Sequence, residues 1–177
     1  MIKIYDNKLP FHVMDHIHTF VLNSKFFITG WKDKDYVNKH SINSYWSIDD
    51  LKSCKLYPYL EKIPSVDFSK WYKTIVNLSH PSDHYYTHTH GDNDYVLLYY
   101  VNLEWRDEWH GETLFFDPNN IKKIDFASSF VPGRIIKFDG IQPHAIRPQS
   151  SVGPQYRFTI SNFFSKKDIE KNDTRHT

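Results

Sequence analysis

The second half of the chain is built of short segments rich in β-branched and aromatic residues. Turns containing Gly, Pro, Asn or Asp separate these segments. Several short strands at such spacing are typical of a β-sandwich or small barrel rather than of alternating βαβ units. We therefore predict strands over Trp71–Leu78, Tyr85–His90, Tyr95–Asn102, Glu112–Phe116, Arg134–Phe138 and Arg157–Phe164.

The first 70 residues have a mixed and partly helical pattern. Apolar residues from Phe11 to Leu22 keep an approximate helical period, and Pro10 lies where a helix can begin. Ser47, followed by two acidic residues, predicts the N-cap of a second helix. Phe26–Trp31 is a candidate strand, and the pattern of Lys55–Pro64 fits either a helix or a loop.

These patterns predict a helical N-terminal support packed on a β-sandwich. We expect the support to span residues 1–70, the β core residues 71–164, and a polar C-terminal tail residues 165–177. A chain of 177 residues suits one domain with one sizeable core.

Composition excludes several classes of protein. The formal net charge is +1, so nucleic-acid binding driven by bulk charge is not expected. We expect no membrane span, because no apolar run approaches the roughly 18 residues that a span needs, and no signal peptide, because the N-terminal stretch turns polar by Asp6. A single cysteine, Cys54, cannot form an internal disulfide. A cytoplasmic location is the resulting expectation.

Histidines concentrate around residue 90 and indicate a metal site. Alternate side chains of a strand share a face, so His88 and His90 project together, joined by Asp92 if the strand continues. His90 and Asp92 form a His-x-carboxylate pair, and His144 offers a third ligand just past a predicted strand. Two imidazoles and one carboxylate leave positions open on the ion, which suits non-haem Fe(II) better than structural zinc.

An ordered series of motifs accompanies this pair. In this order and spacing, the series resembles the prolyl-4-hydroxylase-like family of Fe(II)- and 2-oxoglutarate-dependent dioxygenases, especially its small viral and bacterial members. The resemblance covers about residues 71–164. The residues that carry it are His90–Asp92, Leu97–Asn102, His110–Phe115, Pro132–Arg134, Pro143–His144 and Arg157–Thr159.

The resemblance implies a fold and a reaction. The fold would be mainly β with N-terminal helices, a double-stranded β-helix of the jelly-roll, cupin-like kind. The protein would be a hydroxylase that uses Fe(II), 2-oxoglutarate as cosubstrate and supporting ascorbate. Its substrate would be a protein or peptide, with a peptidyl proline as the first candidate, or a small molecule.

The resemblance also implies residue roles. The metal ligands would be His90, Asp92 and His144. Arg157, together with Thr159, would hold the far carboxylate of 2-oxoglutarate, because a planar guanidinium can bind it through two parallel bonds. Tyr100 would add a hydroxyl to the same carboxylate, and the stretches 91–94 and 117–130 would carry substrate loops.

Two alternatives stay open from the sequence. The loop after the metal pair is shorter than in most relatives, so His88 could be the first ligand, with His90 in the carboxylate position. A non-catalytic, cupin-like metal-binding module would also explain the histidines, but it assigns no function to Arg157 and Thr159. A structural sandwich with incidental histidines is a further rival.

Overall fold

The computed structural model describes residues 1–33, 36–81, 83, 86–91 and 94–167. Within these residues the chain is mainly β, and its helices precede residue 71 apart from one short 3₁₀ turn at Asp107–Trp109. The helices are α1 (Phe11–Leu22), α2 (Ile48–Ser53) and α3 (Tyr57–Leu60), with a 3₁₀ turn at Phe68–Lys70. The strands are β1 (Lys3–Tyr5), β2 (Phe27–Asp33), β3 (Tyr36–Trp46), β4 (Trp71–Ser79), β5 (Asp94–Tyr100), β6 (Thr113–Asp117), β7 (Asn120–Ser128), β8 (Ile135–Asp139), β9 (His144–Ile146) and β10 (Arg157–Ser165).

Two antiparallel sheets face each other. In the described part of the chain, the larger sheet has the order β1-β8-β5-β10-β4-β3-β2, and the smaller one the order β7-β6-β9. His88 extends the smaller sheet, because it forms an isolated antiparallel bridge with His144 at the start of β9. β2, β3 and β4 pair as sequence neighbours, whereas β1, β8, β5, β10 and β4 are adjacent without being consecutive, so the chain crosses between layers as in a jelly roll.

The two faces of the larger sheet are covered differently. Its outer face packs on the N-terminal helices, where Val13, Ile17 and Val21 of α1 bury one stripe against residues such as Phe158 and Ile160 of β10. Its inner face packs on the smaller sheet. That second core contains Leu98, Tyr100, Phe115, Phe130, Ile136, Phe138 and Phe163.

Local sequence explains the two predicted helices, which the structure confirms. α1 begins directly after Pro10, whose backbone is extended. α2 begins after Ser47 in a capping box: the Asp50 backbone N–H donates to the Ser47 hydroxyl, and the Ser47 backbone N–H donates to the Asp50 carboxylate at 2.7 Å. The open segment Lys55–Pro64 contains the single turn α3.

The prediction of a mainly β fold with N-terminal helices is confirmed, with corrections of detail. Residues before 70 also contribute β1, β2 and β3 to the larger sheet. The strand predicted over Tyr85–His90 is wrong for the described residues 86–90, where His88 alone pairs. The stretch 117–130 contains β7, which pairs with β6 in a hairpin, and its expected role in substrate binding stays a prediction. The boundaries at residues 70 and 164 stay a prediction.

Within the residues that the structure describes, no helix has both the length and the apolar character needed to cross a bilayer.

Candidate active site

A cavity of about 360 Å³ lies against the inner face of the larger sheet. This volume falls in the range of sites for small ligands. Three neighbouring strands of the larger sheet form one wall, and β9 and the segment 86–90 face it. The residues with which β3, β4 and β10 line the cavity are His40, Ser41, Asn43, Tyr45, Tyr72, Lys73, Ile75, Asn77, Arg157, Thr159, Ser161 and Phe163.

Three histidines meet at the opposite wall. His88, His90 and His144 each offer a ring nitrogen, and these atoms all lie within 4.8 Å of one another. Backbone pairing holds two of them, since His88 and His144 exchange N–H···O bonds of 3.0 Å in both directions. The His90 N–H donates to Gly140 O at 2.7 Å, which ties the third histidine to the end of β8.

Hydrogen bonds decide which ring nitrogens face inward. Nδ1 of His144 lies 2.8 Å from Gln142 O, and Nδ1 of His88 lies 3.0 Å from Tyr86 O. A carbonyl oxygen can only accept, so both Nδ1 atoms carry the proton. Their Nε2 atoms then keep a lone pair. Metal-binding histidines in proteins are usually oriented by such a bond.

Burial keeps the inner imidazoles neutral. Desolvation, with smaller contributions from His88 and Lys73, lowers the pKa of His90 to about 3. Desolvation also holds the pKa of His144 well below its usual range, with His88 and His90 adding to it and the Gln142 carbonyl opposing it. Neutral imidazole is the form that binds a metal ion.

The arrangement fits a divalent metal ion. Nε2 of His90 and Nε2 of His144 are 3.1 Å apart. Two imidazole nitrogens that bind one ion at about 2.1 Å and at right angles stand about 3 Å apart. Phe163 packs edge-on against His90 and Phe138 against His144, with centroid distances of 4.9 Å and 4.7 Å, so apolar rings shield one side.

The histidines correspond to the alternative register of the metal motif. His90 and His144 belong to both registers, and the structure adds His88 to them. Asp92, the carboxylate of the preferred prediction, lies outside the described residues. His90 stands two residues after His88, so in this cluster it has the position of the carboxylate.

Arg157 lies inside the same cavity. It begins β10 and is 1% exposed, and its Nε donates to Gly111 O at 2.9 Å. Gly111 has a φ of +81°, and a Cβ there would lie 3.3 Å from Cδ of Arg157, so a glycine allows this close approach. The guanidinium also stacks over Tyr100 and Phe130, at 5.3 Å and 5.0 Å from the ring centroids.

Thr159 and Tyr100 take different places around Arg157. Thr159 lines the cavity two residues along β10, and Asn77 Nδ2 lies 3.4 Å from its hydroxyl. Tyr100 is buried, and its hydroxyl donates to Thr113 Oγ1 at 2.7 Å. Tyr100 is not among the described residues that line the cavity, so its predicted contact with 2-oxoglutarate stays a prediction.

Solved structures of similar architecture include two prolyl hydroxylases and one oxidoreductase of the 2OG-Fe(II) oxygenase family. A prolyl hydroxylase from Trichoplax adhaerens, in complex with a hypoxia inducible factor oxygen degradation domain peptide fragment, is 16% identical, with a TM-score of 0.66 over 93% of this chain and 83% of that one. A 2OG-Fe(II) oxygenase family oxidoreductase from Burkholderia pseudomallei is 9% identical, with a TM-score of 0.67 over 94% and 86%. A prolyl-4-hydroxylase from Pseudomonas putida is 13% identical, with a TM-score of 0.64 over 94% and 92%.

This chain has the fold of the 2-oxoglutarate oxygenases. The resemblance noted in the sequence is confirmed at the level of the fold, a jelly roll with N-terminal helices. No protein-family model matches the sequence, and no curated protein matches it either.

Several lining residues of this oxygenase fold had no signal in the sequence motifs. Asn43 and Tyr45 come from β3, which was not predicted, and Lys73 comes from a predicted strand without having been singled out. Asn77 also lines the cavity, where it donates to Thr159 and Ser161. The signal that could have found Lys73 is its alternation with Ile75 and Asn77 on one face of β4.

Gly140 supports the histidine cluster through close backbone contacts. A Cβ at Gly140 would lie 2.5 Å from Gly91 O and 3.0 Å from Asp94 O, and neither backbone atom can move without shifting the chain after His90. We expect Gly140→Ala to lower the free energy of unfolding by about 1 to 3 kcal/mol and to weaken metal binding. Thermal unfolding and metal titration check this, with the exposed neighbour Ile141→Ala as control. Unchanged metal affinity would show that the cluster does not depend on this contact.

Proposed function

We propose that this protein is an Fe(II)- and 2-oxoglutarate-dependent dioxygenase that hydroxylates an unactivated C–H bond. One observation carries the proposal: the histidine cluster and the buried Arg157 line a single cavity. A site that only stored a metal ion would need the histidines alone. The fold shared with prolyl hydroxylases and 2OG-Fe(II) oxygenases supports the same conclusion.

The described geometry supports His88, His90 and His144 as the metal ligands. His90 and His144 would bind the ion in either register of the motif, and Asp92 is the alternative to His88. When bound, Fe(II) and 2-oxoglutarate supply oxygen-dependent hydroxylation, with succinate and CO₂ as the products of the cosubstrate. Ascorbate would keep the iron reduced between turnovers.

The residues of the chain bind and orient the cosubstrate. Arg157 would hold its far carboxylate through the guanidinium, and the Thr159 hydroxyl would donate to the same group. The rings of Tyr100 and Phe130 contact the guanidinium, and Gly111 O accepts a hydrogen bond from its Nε. Because these partners hold the side chain before binding, little conformational entropy is lost when the carboxylate arrives.

Other side chains exclude water from the reacting atoms. Phe115, Phe138 and Phe163 surround the inner face of the cluster with apolar rings. A dry wall protects a reactive oxidant from unproductive reactions and strengthens the charge interactions within the site. The substrate would enter from the opposite side, where the exposed Tyr45 and Tyr86 line the cavity. A peptidyl proline is the first substrate class to test.

Turnover of 2-oxoglutarate tests the proposed function. We expect purified protein with Fe(II), ascorbate and oxygen to release succinate, slowly without a substrate and faster with a pool of proline-containing peptides. The same protein with a chelator, and a His144→Ala variant, should release none. Iron-loaded protein that forms no succinate with any substrate pool would favour the non-catalytic metal-binding module.

A further inference from the structure

Lys73 is an unusual residue for its place in the fold. It lies on the inner face of β4, in line with Ile75 and Asn77, and it lines the cavity. Lys73 is partly buried, and withdrawing an unpaired ammonium even partly from water is costly. The position of the Lys73 ammonium in the cavity wall therefore calls for a functional explanation.

Two aromatic rings hold the Lys73 ammonium at the wall. Its Nζ lies 5.7 Å from the ring centroid of Tyr45 and 5.8 Å from that of Phe163. Burial lowers the pKa of Lys73 from its ordinary value. In the described part of the chain, no ion pair joins Lys73 to a carboxylate. Ring faces attract a cation, but they leave its hydrogen-bond donors available.

Lys73 lies near the histidine cluster and away from Arg157. Phe163, its direct cross-strand partner on β10, also packs against His90. Arg157 is six positions earlier on the same strand, about 20 Å along the backbone. A single 2-oxoglutarate carboxylate bound at Arg157 would not also contact Lys73. The two cations therefore serve different groups.

The charges of the cavity favour an anion. Among the described lining residues, Lys73 and Arg157 are cationic, and Asp83 is the one carboxylate. Asp83 accepts a hydrogen bond of 2.6 Å from the His80 backbone N–H. If three neutral imidazoles bind a divalent ion, these ligands leave its positive charge unchanged. Together with Asp83, a dianionic cosubstrate would offset only part of the positive charge of the ion, Lys73 and Arg157, so the cavity keeps a net positive charge.

We propose that Lys73 binds an anionic group, a carboxylate or a phosphate, on the substrate that is hydroxylated at this centre. The inference rests on the proposed function for the reaction, whereas the anion site itself depends on protein groups alone. Tyr45, which is 52% exposed, places the Lys73 end of the cavity toward solvent. A substrate would enter there and present its anionic group to the ammonium and its reacting carbon to the histidine side.

Matched probes that differ by one charge test the inference. N-acetylproline carries a carboxylate that N-acetylprolinamide lacks, and inorganic phosphate tests the other anion. Their affinities are measured by calorimetry or ligand-observed NMR on protein loaded with Zn²⁺ and saturating 2-oxoglutarate. We expect the acid to bind roughly tenfold more tightly than the amide, as one charge-assisted hydrogen bond would give. A preference for phosphate over acetylproline would identify the anion as a phosphate.

Variants assign the preference to Lys73. Lys73→Met should remove it, and Lys73→Arg should retain most of it. Lys62→Met is the matched control, because Lys62 is an exposed lysine 5.8 Å from the Tyr59 ring centroid and outside the cavity. The inference is overturned if the parent binds no anionic probe, if acid and amide bind equally and phosphate does not bind, or if the preference for the anion survives in Lys73→Met.

Separate titrations distinguish this inference from the proposed function. The affinity for 2-oxoglutarate should be the same in Lys73→Met and the parent, and a large loss would mean that Lys73 belongs to the cosubstrate site, which overturns the inference. The probes are also titrated into metal-free protein. A Lys73-dependent preference there, in a protein that binds neither metal nor 2-oxoglutarate, would support the anion site while the proposed oxygenase function failed.

Discussion

Replacing either His90 or His144 by alanine is expected to abolish tight metal binding. Each variant removes one imidazole from a cluster whose ring nitrogens lie within 4.8 Å of one another. Loss of a supporting residue alone typically costs 10- to 100-fold in affinity, so loss of a ligand should cost more than about 100-fold. Metal content after dialysis and the visible spectrum of the Co²⁺-loaded protein measure the effect.

The same experiment decides the register of the metal motif. The geometry predicts that His88→Ala loses the metal as severely as His90→Ala, because His88 faces His144 across two backbone hydrogen bonds. Asp92→Ala is then expected to keep most of its affinity. The opposite ranking, with His88→Ala loaded and Asp92→Ala empty, would restore the His-x-carboxylate pair.

A surface histidine controls for non-specific metal binding. His12→Ala removes an exposed imidazole on α1, and its metal content should equal that of the parent. Thermal unfolding of the metal-free variants separates ligand loss from misfolding. His144 is buried, so its removal also leaves a small cavity, but a fold that melts cooperatively without binding metal still assigns His144 as a ligand.

The strands that were predicted from the sequence have apolar residues on both faces or a clear alternation of apolar and polar residues. β5 and β10 lie at the centre of the larger sheet, and their β-branched and aromatic residues are buried on both sides. Their positions were found within two residues. The motif order around them also led to the correct fold, because turns and strands recur at characteristic spacing in such jelly rolls.

β3 could not be predicted from hydrophobic periodicity. Its residues Ser41, Asn43 and Tyr45 face a cavity rather than a packed core, so the inward positions are polar. A strand that lines a polar site loses the alternation on which a strand prediction depends. These three lining residues were missed for the same reason.

The sequence identified several residues of the site, but it did not predict the contacts that bring them together. His90, His144, Arg157 and Thr159 were singled out, and the structure brings all four to one cavity. The reasoning that grouped His88 with His90 assumed a continuous strand, yet the described residues there form only one bridge. What brings these histidines together is pairing with His144, a contact 56 residues apart that no local pattern encodes.

Replacing Arg157, the proposed anchor for the cosubstrate, is expected to have the other large effect. Arg157→Ala should leave metal binding intact and weaken 2-oxoglutarate binding by about 30-fold or more, since removing one partner of a buried charge pair typically costs about 2 to 5 kcal/mol. Anaerobic titration of 2-oxoglutarate into Fe(II)-loaded protein, followed by its visible charge-transfer band, measures this affinity separately from iron binding.

The conservative replacement tests whether the guanidinium fork matters as well as the charge. Arg157→Lys should recover only part of the affinity, because an ammonium cannot form two parallel bonds to a carboxylate and cannot donate to Gly111 O in the same geometry. Arg147→Ala is a suitable control, since Arg147 is half-exposed, pairs with Glu112 and lies outside the cavity. If Arg157→Ala binds 2-oxoglutarate as tightly as the parent, the far carboxylate is held elsewhere. Lys73 would then be the next cation in the cavity to test, through the 2-oxoglutarate affinity of Lys73→Met.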